Sequence, residues 1–224
     1  MTATSALDDT VLASLISSKI CHDLAGQIGA INNGLELLEE EVDEDTRYYA
    51  LELIHNSAKA AWAQLDFHRL AFGASSSLGA EIPLGQVEQV ARGYVENGKR
   101  RLHWQAEGSE IKKPYARLLL ALIALSLPSL PAGGDIYVGV SGLPRDGKPS
   151  SGELGFLVLC RGRSARVPER VEEILSGRNL EGIDTRFVLP YYVARLAGEA
   201  GMSVVAGKDG EDVLFTARKK PAAG

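Results

Sequence analysis

The chain has 224 residues, 45% of them hydrophobic and 24% charged, with a formal net charge of -5. That composition is globular rather than disordered, and its acidic balance opposes a general nucleic-acid partner. No apolar run approaches the ~18 residues of a membrane span, the opening MTATSALDDT lacks the basic region of a secretory signal, and Cys21 and Cys160 form neither a disulfide framework nor a metal cluster, so a cytoplasmic protein without membrane association is expected.

The first regular pattern is Leu24, Ile28, Ile31, Leu35, Leu38 and Val42, spaced 4, 3, 4, 3 and 4. This is a heptad seam on a helix, extended less cleanly back through Cys21. VDEDT then supplies turn and N-cap chemistry. A second helix is predicted over residues 46–72, with Leu51, Ile54, Ala58, Ala61, Leu65, His68 and Phe72 in the same rhythm. Gly73 stands where a left-handed C-terminal cap is expected. The two helices make a hairpin, residues 1–75, whose seam needs a partner. A second copy of the chain would supply it as a dimeric four-helix bundle; packing on the rest of the chain is the alternative.

GASSSLGA, residues 73–80, reads as a linker, and all nine prolines follow it. Residues 80–224 mix helix and strand periods. Helices are predicted over Gln86–Asn97, Pro114–Leu127, Pro168–Leu175 and Pro190–Ala200, the last two with proline at the first position. Strands are predicted over Arg101–Ala106, Ile136–Ser141 and Gly155–Cys160. Met202–Ala206 and Asp212–Arg218 make a final hairpin turned at GKDGE. The second region is therefore an α+β sandwich, one sheet covered on one face by helices.

His22 is the residue placed for chemistry. Counting from Leu24, it falls on the outward face of the first helix. That face reads Lys19, His22, Gly26, Gly29, Asn33, Glu36 and Glu40. Each glycine inside a helix costs ~1 kcal/mol relative to alanine, and bare backbone is useful where another surface must come close. Imidazole is largely neutral near pH 7 and then nucleophilic. Its phosphoramidate would be labile enough to pass a phosphoryl group onward. Asp23 is placed to orient the ring and stabilise its positive charge, and Lys19 to offset phosphoryl charge. The bland reading is one surface histidine among four. His55, His68 and His103 have no comparable setting; His68 falls on the seam and reads as packed. Both cysteines read as packing residues. A metal phosphohydrolase site lacks further ligands at helical spacing.

LISSKICHDLAGQIGAINNGLELLEEE resembles the H-box helix of two-component histidine kinases. The remainder is similar to a worn-down GHKL-superfamily ATPase domain, a degenerate Bergerat-like α+β sandwich. RLLLALIALSLPSLPAGGDIYV follows the N-box helix, with Leu125 and Ala121 where asparagines stand. FLVLCRGRSARVPERV follows the adenine-binding loop, with Gly162 for its Asp and Ser164 and Arg166 for its glycines. DTRFVLPYYVARLAGEAGMSVV follows the last helix and strand without the Gly-x-Gly. Leucine cannot ligate Mg²⁺, and a loop without glycines cannot readily close round phosphates, so no nucleotide or metal cofactor is expected on this chain.

A histidine-kinase body without an ATP site resembles the ChpT-type histidine phosphotransferases of bacterial cell-cycle phosphorelays, chiefly in CHD, INNGLELLEE and RLAFGAS. The resemblance implies a cytoplasmic homodimer. It would take a phosphoryl group from the receiver domain of a hybrid kinase (CckA in that family) and pass it to response regulators (CtrA and CpdR). Mg²⁺ would come with the receiver. Gly26, Gly29, Asn33 and Glu36 would form the docking face. Gln27 replaces the H-box proline, which implies an unbent helix. Gly26 replaces the polar residue of kinase phosphatase chemistry, which argues against that activity. A scaffold that carries no phosphate and an atypical active kinase are the rival readings.

Overall fold

In the computed structural model, described for residues 7–40, 42–73, 80–96, 98–144 and 152–220, two long helices form an antiparallel hairpin. α1 spans Asp9–Glu39 and α2 spans Glu44–Phe72. Asp8 caps α1 by accepting from the Thr10 N–H at 2.8 Å, and Asp43 caps α2 by accepting from the Thr46 N–H at 2.8 Å. The VDEDT turn therefore works as expected, whereas Val42 lies outside both helices.

α1 begins well before the seam at Leu24. Its first third follows a different face, on which Leu12, Leu15, Ile16 and Ile20 pack against the core of the α/β region. Cys21 consequently points to solvent, a correction to its expected packing role, while Cys160 is buried. Gly73 caps α2 in an extended rather than left-handed conformation, with φ -63°. Glycine is needed there for closeness: a Cβ would stand 2.2 Å from the Arg69 carbonyl oxygen. The rest of the expected linker, residues 74–79, lies outside the described residues, as does Asn97.

The second region contains α3 (Leu84–Val95), α4 (Lys113–Ser126), α5 (Val171–Leu175) and α6 (Val188–Glu199). Its strands are β1 (Glu81–Pro83), β2 (Arg100–Trp104), β3 (Glu110–Lys112), β4 (Gly134–Ser141), β5 (Gly155–Arg161), β6 (Met202–Asp209) and β7 (Asp212–Lys219). β2, β4, β5, β7 and β6 lie side by side in that order, with only the β2–β4 pair parallel. Alternate residues such as Val138, Val158 and Phe215 are buried under the helices, while Leu157 and Val205 on the other face are exposed. This is the expected one-sided sandwich. The short antiparallel pair β1–β3 was not legible as strands. α5 and α6 start at Val171 and Val188, not at Pro168 and Pro190.

α4 is buried continuously from Leu118 to Ser126, because the sheet lies on one side and α2 and α6 lie on the other. The base of the hairpin joins this core through Ile16, Phe67 and Ala71. Phe67 stacks on Tyr94 at 3.8 Å, and the Tyr192 hydroxyl donates to the Ala71 carbonyl. The hairpin thus does pack on the rest of the chain, but only at its base. Farther out, Ile28 (51% exposed), Leu35, Leu51 and Trp62 (72% exposed) remain open. Covering such a half-exposed side chain would recover part of the ~1.5–3 kcal/mol that full burial is worth.

Candidate functional site

His22 sits on the outward face of α1, with its side chain 90% exposed. The adjacent Asp23 is turned partly inward, 18% exposed. Nδ1 of His22 is 3.8 Å from Oδ1 of Asp23, close enough for charge but too long for a hydrogen bond. The carboxylate instead accepts from Nζ of Lys19, one turn earlier, at 3.1 and 3.3 Å. The expected trio is therefore brought together, with Lys19 bound to Asp23 rather than reaching outward.

Gly26, Asn33 and Glu36 are exposed and Gly29 is half-buried. A Cβ at Gly26 or Gly29 would meet nothing within 4 Å. Packing among the described residues explains neither glycine, in contrast to Gly34, which is buried against α2.

A group that the sequence reading set aside joins the site. His68, on α2, is buried, as its place on the seam predicts, but Nε2 lies 3.7 Å from Oδ2 of Asp23. Phe67, Phe72 and Tyr94 surround the ring, with centroids 6.0, 5.5 and 5.8 Å away. Burial holds the imidazole below its ordinary 6.5; Asp23 opposes that shift and Lys19 reinforces it. Burial likewise raises the Tyr94 phenol above its usual range. No local sequence signal joins His68 to Asp23, because they meet only when the hairpin closes.

A cleft of about 540 Å³ separates His22, Asp23 and Lys19 from the α/β region. Leu125, Pro168, Arg186 and Phe187 of the α/β region line it as well. Leu125 and Ala121 are buried and apolar. Gly162 is closely packed: a Cβ there would stand 2.6 Å from the Gly133 carbonyl oxygen. A carboxylate side chain has no room at that position. Ser164 keeps a left-handed φ of 64°, the conformation glycine adopts freely. The Arg166 N–H donates to the Ser129 carbonyl. Among the described residues, no group of three or more His, Cys, Asp or Glu is placed to hold a metal ion, and no helix is long and apolar enough to cross a membrane.

Comparison with known proteins bears on the whole architecture. A family model described as the histidine phosphotransferase C-terminal domain matches residues 84–212. The protein phosphotransferase ChpT of Brucella abortus (strain 2308) is 40% identical over 215 residues, covering 95% of this chain and 96% of that protein. A solved bacterial phosphotransferase at 1.7 Å superimposes with a TM-score of 0.80 at 38% identity, covering 96% of this chain and 98% of the other.

Proposed function

The chain belongs to the histidine phosphotransferase family, and from that premise we propose that His22 carries the phosphoryl group between the aspartates of two receiver domains. The observation that carries this assignment is the ring itself, exposed at the mouth of a cleft with an acid at the next position.

Nδ1 of His22 faces Asp23, which leaves Nε2 to attack. The donor's acyl phosphate loses its phosphorus–oxygen bond, and the carboxylate leaves with the bonding pair. A nitrogen–phosphorus bond forms, and the ring, still holding the proton on Nδ1, becomes positively charged. Asp23 stabilises that charge across 3.8 Å. Lys19, which holds Asp23 at 3.1 Å and lines the same cleft as His22, exchanges that hold for the phosphoryl oxygens. Mg²⁺ bound by the receiver's own acids would supply charge neutralisation for the transferring group. The second transfer reverses these bond changes onto another aspartate. Most of the rate comes from alignment of the two partners.

The receiver lies over Gly26, Gly29, Asn33 and Glu36, where a lack of side chains lets its backbone approach. The donor is the receiver domain of a CckA-like hybrid kinase, and the acceptors are CtrA-like and CpdR-like response regulators of a cell-cycle phosphorelay in the cytoplasm. The working unit is a homodimer whose four-helix bundle covers the open outer hairpin. No nucleotide is needed: Leu125 offers no oxygen ligand and Gly162 no acceptor for an adenine amine. Nucleic acid and membrane play no part.

A three-component relay tests this reading. Label should move from a phosphorylated receiver to a second receiver only when this chain is present, without added nucleotide. Transfer that requires ATP, or a chain that binds both receivers while passing no label, contradicts it.

A further inference from the structure

We propose that His68 is a positioning residue of the transfer site, which takes over the Asp23 carboxylate when Lys19 turns to an incoming phosphoryl group. The inference rests on His22 as the phosphoacceptor.

Two observations lead to it. First, the His68 side chain is 2% exposed, yet among the described residues neither ring nitrogen has a hydrogen-bond partner. Buried polar groups are ordinarily bonded, so this ring is held in reserve or wasted. Second, its Nε2 lies 3.7 Å from the carboxylate of Asp23, the acid next to His22 in the chain. The aromatic groups around it are Phe67, Phe72 and Tyr94, and the charged groups acting on it are Asp23 and Lys19 of α1.

The resting state explains why the bond is absent. Lys19 donates to both oxygens of Asp23, at 3.1 and 3.3 Å, so the carboxylate is already served. A phosphoryl group on His22 brings negative charge that competes for the ammonium. Once Lys19 leaves, Asp23 needs another donor to keep facing Nδ1 of His22. A neutral His68 can donate through Nε2–H after closing the 3.7 Å gap by about 1 Å. Burial keeps the ring neutral, so it adds a donor without a positive charge that would compete with His22 for the carboxylate. A purely structural ring would be replaced equally well by any side chain that fills the aromatic box.

The test compares wild type, His68→Gln and His68→Leu, with a phosphorylated receiver domain as donor. Single-turnover labelling of His22, receiver affinity and thermal midpoint are measured for each. His68→Leu should slow labelling about tenfold, the effect of one hydrogen bond, with receiver affinity unchanged. His68→Gln, whose amide can donate, should recover most of the rate. Equal rates in wild type and His68→Leu overturn the positioning role, as does a His68→Gln rate no better than that of His68→Leu. A wild type that takes no label contradicts the phosphoacceptor reading instead. If His68→Leu does not fold, ¹⁵N spectra of the wild type decide. The His68 Nε2–H resonance should shift on phosphorylation of His22, and an unmoved resonance overturns the proposal.

Discussion

A Cβ placed on Gly34 would stand 2.6 Å from Cγ1 of Ile54, the tightest approach of α1 to α2 at any of the α1 glycines. The Ala50 carbonyl oxygen lies 3.2 Å from the same point, so the helix backbones themselves limit how far the pair can adjust. Gly34→Ala should destabilise the chain by ~1–3 kcal/mol, the usual range for overpacking. Its thermal midpoint should fall by about 2–4 °C per kcal/mol in a chain of this size. An unchanged midpoint would mean that the hairpin is less tightly closed than described.

Gly26 and Gly29 behave oppositely, because nothing within 4 Å would meet a new Cβ. Gly26→Ala should raise stability by up to ~1 kcal/mol through helix propensity alone. Gly26→Leu should fold equally well but weaken receiver binding at least tenfold, measured by titration of a receiver domain. A stable Gly26→Leu chain with wild-type affinity would place the docking face elsewhere.

The outer hairpin leaves Tyr48, Leu51, Trp62 and Leu65 exposed along one flank of α2, with Ile28 and Leu35 on α1. Light scattering should report a dimer for the wild type. Trp62→Glu together with Leu65→Glu should give a folded monomer, since a charge buried in the seam has no partner. A wild type that is monomeric at micromolar concentration would contradict the bundle.

The parts of the fold that were legible share one property: their signal is local. The alternating spacing from Leu24 to Leu38 marked α1 and set His22 on its outer face, and that face is open. The turn chemistry around Asp43 and the β6–β7 hairpin were local as well. The misses depend on tertiary partners. The start of α1 switches faces to follow Ile16 and Ile20 onto the core, which exposes Cys21 against expectation. β1 and β3 are three residues each and exist only through one another. Lys19, His22 and Asp23 could be grouped from the sequence because they share one helix. His68 was read as a packed core residue because its polar neighbour belongs to the other.

His68 also leaves a signature in stability. Its folded pKa lies below the unfolded value near 6.5 because burial disfavours the charged ring. Below pH 6.5 the unfolded chain therefore binds a proton that the folded chain refuses. Stability is fully present above that pH and is lost as pH falls toward the folded value. The thermal midpoint of the wild type should drop between pH 7.5 and 5 by more than that of His68→Leu. Parallel curves for the two chains would show that the buried ring takes up its proton as readily folded as unfolded.

The central assignment is that one exposed imidazole holds the phosphoryl group in transit. It is tested most directly by incubating the chain with a phosphorylated receiver, stopping the reaction, and locating the label by acid and base treatment and peptide mapping. The account predicts an acid-labile, base-stable label on the peptide containing His22, absent from His22→Ala. A label that persists in His22→Ala would contradict it, as would label reaching the second receiver through that variant.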